Sequence, residues 1–153
     1  FLDIVNDYNG YKTCYYRTFC CGYPTQKQRD IYKKTYDWMY AAIDKIKPGV
    51  TTDEICKLWP TYKELGAKNE YETMALELGH GVGIAHWSKP VIGHQCSMEY
   101  PEVIEENMHF AVETYYGVDG DAARLEEQLV VTKDGCRVIT KFPCAEPVAC
   151  WKY

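Results

Sequence analysis

The pattern of hydrophobic and polar positions predicts strands at both ends of the chain and helices between them. The segment from Phe1 to Phe19 predicts a β-hairpin, because strand-like FLDIV and Thr- and Tyr-rich YKTCYYRTF flank the turn residues NDYNG. After CCGYP, apolar residues recur at helical spacing from Ile31 to Ile46, and Thr25 can cap that helix. The run TTDEICKLW predicts a capping box and a second helix, which Pro60 ends or kinks. The polar stretch from Tyr62 to Leu78 predicts a further short helix and a lead-in.

The second half of the chain predicts an antiparallel sheet. The run GHGVGIAHWSKP, from Gly79 to Pro90, is predicted to be a glycine-rich loop, and Val91 to Glu106 an irregular surface loop. MHFAVETYYG, RLEEQLVVT and CRVIT alternate like three strands, joined by the turns VDGDA and KDG. No element is predicted for the tail from Phe142. The chain is therefore predicted to be α+β, with a hairpin, two helices and a curved antiparallel sheet.

Size and charge narrow the choice of function. A chain of 153 residues with 46% apolar and 25% charged residues is typical of one globular domain. A net charge of −5 argues against nucleic acid or an anionic membrane as a partner. No apolar run approaches the roughly 20 residues of a membrane span. The eight cysteines form no C-x-x-C pair, so a zinc ribbon or a thioredoxin motif is not expected. Because no signal sequence is visible and the hydrophobic complement is full, we interpret the cysteines mainly as reduced thiols of a cytoplasmic protein.

Acidic residues inside apolar strands are the candidate chemistry of this sequence. Glu113 lies within MHFAVETYYG, and Glu126 comes just before the apolar end of RLEEQLVV. A carboxylate buried in such a strand is costly unless it is paired or bound to a metal. Together with Asp3 and His80 these residues form an oxygen and nitrogen set that divalent metals accept. Alternatively, both glutamates face solvent or pair with Arg124 and lysine side chains.

Five motifs follow one another along nearly the whole chain. They are LDIVNDYNGYKTCYYRTF, IKPGVTTDEI, LGHGVGIAHWSKPVI, ENMHFAVETYYG and ARLEEQLVVTKDGCRVITKFP. Their order and spacing resemble the pita-bread family of methionine aminopeptidases, prolidases and creatinases. The resemblance implies an α+β pita-bread fold, in which a curved antiparallel sheet carries helices on one face and residues 1–153 form a single catalytic-type domain. It also implies a homodimer, and a missing N-terminal half of the same fold upstream of Phe1.

The resemblance further implies a two-metal centre with five protein ligands. Carried over residue by residue, the ligand positions fall on Asp3, Cys14, His80, Glu113 and Glu126. The implied cofactor is one or two divalent ions of Mn, Fe, Co or Zn, which activate a water and polarise the scissile carbonyl. In the family, the Glu that matches Glu113 also shuttles a proton. Glu127 follows the last ligand and is predicted to face away from the site, because neighbours on a strand alternate.

Two positions depart from the family pattern. Cys14 stands where the family has a second Asp that bridges both metals, so it is either a thiolate ligand or a buried thiol without a metal. The metal count is therefore open. In the glycine-rich loop, alignment through Pro90 places Trp87 where the family has a catalytic His. His86 lies one residue earlier, and it replaces that His only if the backbone twists there.

The predicted function is a metal-dependent hydrolase resembling Xaa-Pro peptidases and aminopeptidases, which acts on a peptide or a small amide-like substrate. Its candidate catalytic residues are His80, Glu113 and His86. The alternatives are a metal-free, creatinase-like C–N hydrolase, a lyase of the dimethylsulfoniopropionate type, and a non-catalytic pita-bread binding module. The three glycines at 79, 81 and 83 are expected to let the backbone approach the site and adopt unusual dihedral angles.

Overall fold

The computed structural model describes residues 1–73 and 77–151. In these ranges the strands are β1 Leu2–Tyr8, β2 Tyr11–Arg17, β3 Phe19–Cys21, β4 Gly79–Gly81, β5 Ser88–Ile92, β6 His109–Val118, β7 Asp121–Val131, β8 Cys136–Val138 and β9 Val148–Cys150. The helices are α1 Gln26–Lys45, α2 Thr52–Cys56 and α3 His94–Glu99, with one 3-10 turn at Glu70–Glu72. Strands and helices are thus combined as the predicted α+β class requires.

The predicted hairpin is confirmed as the antiparallel pair β1–β2, which packs its second strand against β7. Its turn contains Asn9 and Gly10, both with positive φ, at 52° and 87°. These are residue types that tolerate the left-handed region, which explains why the chain reverses here. Asp3 pairs with Tyr16 and Val5 with Cys14, so Asp3 and Cys14 share one face of the hairpin.

Helix α1 covers one face of the large sheet. The hydroxyl of Thr25 accepts a hydrogen bond from the backbone N–H of Gln28, and the Gln28 side chain accepts one from the N–H of Thr25. This is the reciprocal arrangement of a capping box, and the predicted helix begins where its signal lies. Ile31, Met39 and Ile43 are buried on its inner side, in one core with residues of β6 and β7.

Within the described part of the chain, the large sheet has the strand order β5-β4-β6-β7-β8. Strand β6 separates two environments, because successive side chains point to opposite faces. Phe110 and Val112 belong to the core that includes α1 residues, whereas Ala111 forms a small cluster with Cys14 of the hairpin. The sheet is therefore enclosed by α1 on one side and by the hairpin on the other.

The prediction of a loop from Gly79 to Pro90 is wrong at both ends. Gly79–Gly81 is strand β4 and Ser88–Ile92 is strand β5, which pair antiparallel with a register shift after His80. A three-residue strand buried on both faces carries no alternation that would reveal it. The glycines of β4 are needed for close packing, since a Cβ on Gly79 would lie 2.8 Å from the Ala111 carbonyl oxygen. None of the three loop glycines has a positive φ, so the expectation of unusual dihedral angles is wrong.

The prediction of an irregular loop over Val91–Glu106 is also wrong, because β5 runs to Ile92 and α3 follows. Helix α3 has six residues, of which only Ser97 is buried. Its sequence therefore has no apolar stripe that would predict a helix. The tail, for which nothing was predicted, adds β9 in parallel to β3. The short helix predicted between Tyr62 and Leu78 is a 3-10 turn at Glu70–Glu72, and the part of that prediction at 74–76 lies outside the described residues.

No helix among the described residues combines the length and the apolar character that crossing a bilayer requires.

Candidate metal centre

His80 stands at the middle of β4, between two glycines that let the neighbouring strands approach. Its Nδ1 lies 3.1 Å from the carbonyl oxygen of Gly81, and since a carbonyl only accepts, Nδ1 carries the proton. The free Nε2 then points to carboxylate oxygens of Glu77 and Glu126, each 3.6 Å away. Although burial disfavours the imidazolium, the interactions with Glu126 and Glu77 raise the pKa of His80 above its ordinary value.

Glu113 and Glu126 lie directly opposite each other on β6 and β7, and both are buried. Burial and the charge of Glu126 together raise the pKa of Glu113 to about 8. Arg124 opposes this shift, because its Nε donates to Glu113 Oε2 at 2.9 Å and its Nη2 donates to the same oxygen. The alternative that Glu113 pairs with Arg124 is therefore confirmed. The alternative that the two glutamates face solvent is wrong, because both are buried.

Cys14 reaches the same buried space from the hairpin. Its Sγ lies 3.5 Å from Glu126 Oε2 and 3.6 Å from Asp3 Oδ1, and both contacts have hydrogen-bond geometry. Burial and the charges of Glu126 and Asp3 raise the pKa of the Cys14 thiol. Without a cation in the site, Cys14 is thus a neutral thiol that donates to carboxylates.

Asp3 lies at the outer edge of this group. Its side chain is exposed, and Tyr16 donates a hydrogen bond of 2.9 Å to its Oδ2. Asp3 touches the site through Cys14, and it is in neither of the donor groups that the described residues form around His80.

His86 is exposed and lies next to His80. Its ring centroid is 6.0 Å from that of His80, in an edge-on arrangement with an interplanar angle of 71°. The side chain is exposed, as is the neighbouring Trp87 at 53%. The segment between β4 and β5 therefore brings His86 close to His80, although His86 is in neither of the donor groups that the described residues form there.

Glu77 is a member of the site that the sequence reasoning missed. Two sets of donor atoms meet at His80, one with Cys14 and Glu126 and one with Glu77 and Glu113, and each set lies within 4.8 Å. The Oε1 atoms of Glu77 and Glu126 are buried, and within the described part of the chain neither has a hydrogen-bond partner. The one signal available was an acidic residue just before Leu78, at the entry to a strand. A cation fits this donor set, because it would satisfy both orphaned oxygens.

Glu127 faces the opposite side of β7, as predicted. Its carboxylate accepts hydrogen bonds from Arg17 Nη2 at 2.9 Å and from the Tyr40 hydroxyl at 3.2 Å. The Arg17 guanidinium also donates to the backbone carbonyl of Glu126 at 2.5 Å. Arg17, the last residue of β2, therefore fastens the hairpin to the strand that carries Glu126.

Residues 1–133 match the family model of Metallopeptidase family M24. The chain belongs to this family. Among curated M24-type relatives, the Xaa-Pro dipeptidase of Lactobacillus helveticus is 34% identical over 141 residues, which cover 91% of this chain and 36% of that protein. The Xaa-Pro dipeptidase of Pyrococcus furiosus is 30% identical over 143 residues, with 92% and 39% covered.

Solved structures agree with the M24 assignment. The Xaa-Pro dipeptidase from Bacillus anthracis superposes with a TM-score of 0.76 at 28% identity, covering 94% of this chain and 39% of that one. A dipeptidase from Mycobacterium ulcerans, at 24% identity, shows the same fold with a TM-score of 0.80 over 98% of this chain and 39% of its own. The predicted pita-bread fold is therefore confirmed. This chain spans less than half the length of each of these four proteins.

Proposed function

We propose that this chain carries the metal centre of a metal-dependent peptidase that cleaves short peptides with proline in second position. The observation that supports it most is the buried Glu126 Oε1, without a partner among the described residues and 3.6 Å from His80 Nε2. A buried anionic oxygen is costly unless a cation or a donor meets it. The substrate class follows the relatives named Xaa-Pro dipeptidase.

The ligands that we propose for one or two divalent ions combine carboxylates, an imidazole and a thiol. They are Asp3, Cys14, His80, Glu113 and Glu126. This mixture suits Mn, Fe, Co or Zn better than Mg or Ca, because imidazole and thiolate are poor ligands for the harder ions. When bound, such an ion would polarise the scissile carbonyl and acidify a water.

Glu113 is proposed to move the proton. Burial and the neighbouring Glu126 raise the pKa of Glu113, so its carboxylate is a stronger base than an exposed one and would take a proton from the attacking water and return it to the leaving amine. Arg124 holds the carboxyl by Oε2, which leaves Oε1 without a hydrogen bond to Arg124. His86, whose ring lies near that of His80, and the exposed Trp87 that follows it are proposed to contact the substrate.

The test is metal content and hydrolysis measured on the same protein. After removal of metal by a chelator and addition of Mn, Fe, Co or Zn, we expect at least one ion per chain and cleavage of Xaa-Pro dipeptides. Glu113→Gln should abolish cleavage, whereas Glu106→Gln, at an exposed position, should not. A chain that retains far less than one ion after every addition would refute the proposal.

Metal-free C–N hydrolysis is the second candidate. Two observations favour it: Arg124 already pairs with Glu113, and Cys14 replaces a carboxylate with a group that burial keeps neutral. Full activity of the chelator-treated protein, unchanged by added ions, would decide for this candidate. The homodimer, the cytoplasmic location and the upstream half of the fold stay predictions.

A further inference from the structure

The Glu77 and Glu126 carboxylates flank His80 symmetrically. Glu77 Oε1 and Glu126 Oε1 are each 3.6 Å from His80 Nε2, which is beyond hydrogen-bond distance. Both oxygens are buried without a partner in the described residues, and the Glu126 side chain is fully buried. Ligand atoms about 2.1 Å from a tetrahedral ion lie about 3.4 Å from one another. Each distance to His80 Nε2 is therefore close to the separation of two ligands of one ion, and Glu77 shares such a donor set with His80 and Glu113.

Glu77 is held in this position by the backbone that follows it. The N–H of Leu78 donates to Ile92 at 2.6 Å, and the Leu78 carbonyl accepts from Glu113 at 3.0 Å. Leu78 is thus bonded to β5 on one side and to β6 on the other. This fixes the backbone directly after Glu77, whose side chain lies beside His80 with about a third of it open to solvent.

We propose that Glu77 is a ligand of the metal centre and supplies the carboxylate that Cys14 no longer provides. The ligand pattern carried over from the family has four carboxylates and one imidazole. Here Asp3, Glu113 and Glu126 leave three carboxylates, and Glu77 brings the number back to four. The proposal rests on the proposed metal-dependent function, and it assigns the role to a position outside the five motif ligands.

The experiment measures Zn²⁺ and Co²⁺ affinity by competition with a chromogenic chelator, on the full chain. Glu77→Gln keeps the size of the side chain and removes its charge, and it should lower the affinity at least about tenfold. Glu106→Gln, exposed and outside the site, serves as the matched control and should bind like wild type. Cys14→Asp introduced into the Glu77→Gln background should recover most of the loss.

The possible results separate the two proposals. Unchanged affinity in Glu77→Gln, with metal binding abolished in Glu126→Gln, would overturn the role of Glu77 and leave the metal-dependent function standing. A wild type that binds neither ion would overturn both. If Glu77→Gln does not fold, Glu77→Asp keeps the charge and shortens the reach, so its affinity should fall several-fold. Affinity equal to wild type in that variant would overturn the role of Glu77.

Discussion

Replacing Arg17 with methionine should destabilise the fold more than any surface change. The Arg17 side chain is fully buried, and its three nitrogens donate to five acceptors. One acceptor is the buried Glu127 carboxylate, and another is the backbone carbonyl of the buried Glu126. Methionine fills most of the volume but supplies no donor, so it removes the hydrogen bonds and leaves the space occupied.

The expected loss of stability comes mainly from two buried acceptors, the Glu127 carboxylate and the Glu126 carbonyl. Removing one partner of a buried ion pair costs about 3–5 kcal/mol, because the other charge stays buried without compensation. The Glu126 carbonyl adds about 1 kcal/mol or more if it remains without a donor. The carbonyls of Phe142 and Pro143 belong to exposed residues and can turn to water. We therefore expect a loss of at least about 4 kcal/mol, out of the 5–15 kcal/mol typical of native proteins.

Urea unfolding followed by circular dichroism measures this loss. With a slope of about 2 kcal/mol per molar, the midpoint should fall by about 2 M. Arg29→Met, at an exposed position of α1, is the matched control and should change little. In Arg17→Met/Glu127→Leu no charge stays buried alone, so most of the stability should return. A loss below about 1 kcal/mol in Arg17→Met would refute the reasoning.

The packing around β4, the buried carboxylates and the β3–β9 pair allow further tests. Gly81→Ala should cost about 1–3 kcal/mol, because its Cβ would overlap the backbone of β5, whereas Gly83→Ala has open space and should cost little. Metal-free protein should lose stability as pH rises from 4.5 to about 8, since the folded chain keeps on Glu113 a proton that the unfolded chain releases. Oxidised glutathione should link Cys21 to Cys150, which pair in register, and a mass loss of two hydrogens would report it.

Each of these expectations has an outcome that contradicts it. Equal stability of the two glycine variants would show that β4 and β5 are not in close contact. Glu113→Gln should flatten the pH profile, and an unchanged slope would place the titrating group elsewhere. Peptide mapping that finds Cys150 still free, or joined to a different cysteine, would contradict the register of β3 and β9.

Local signals predicted the parts of the fold that local physics determines. The capping residues at Thr25 and the long apolar stripe located α1, and alternation located β6 and β7. The missed elements β3, β4, β5, α3 and β9 have three to six residues each. These elements are stabilised by strands and helices that are distant in the sequence, as β9 is by β3. A short window of sequence therefore has no pattern that predicts them.

The candidate site shows the same limit. The strand pattern and the family motifs pointed to His80, Glu113 and Glu126, because each lies in a recognisable run. Glu77 belongs to no motif, and only the fold places it beside His80. The pairing of Arg124 with Glu113 was an open alternative, since the two residues are on different strands and their distance depends on register.

The two neighbouring glutamates on β7 both depend on the register of that strand. Glu126 faces the hairpin beside Cys14 and His80, while Glu127 faces α1 and Arg17. A slip of β7 by one residue would turn every side chain to the other face. It would place an uncompensated charge against α1 and remove the carboxylate from the proposed metal site at the same time. The Arg17–Glu127 ion pair thus favours the register that the candidate site needs, because a chain with β7 in the wrong register would lose stability as well as the site carboxylate.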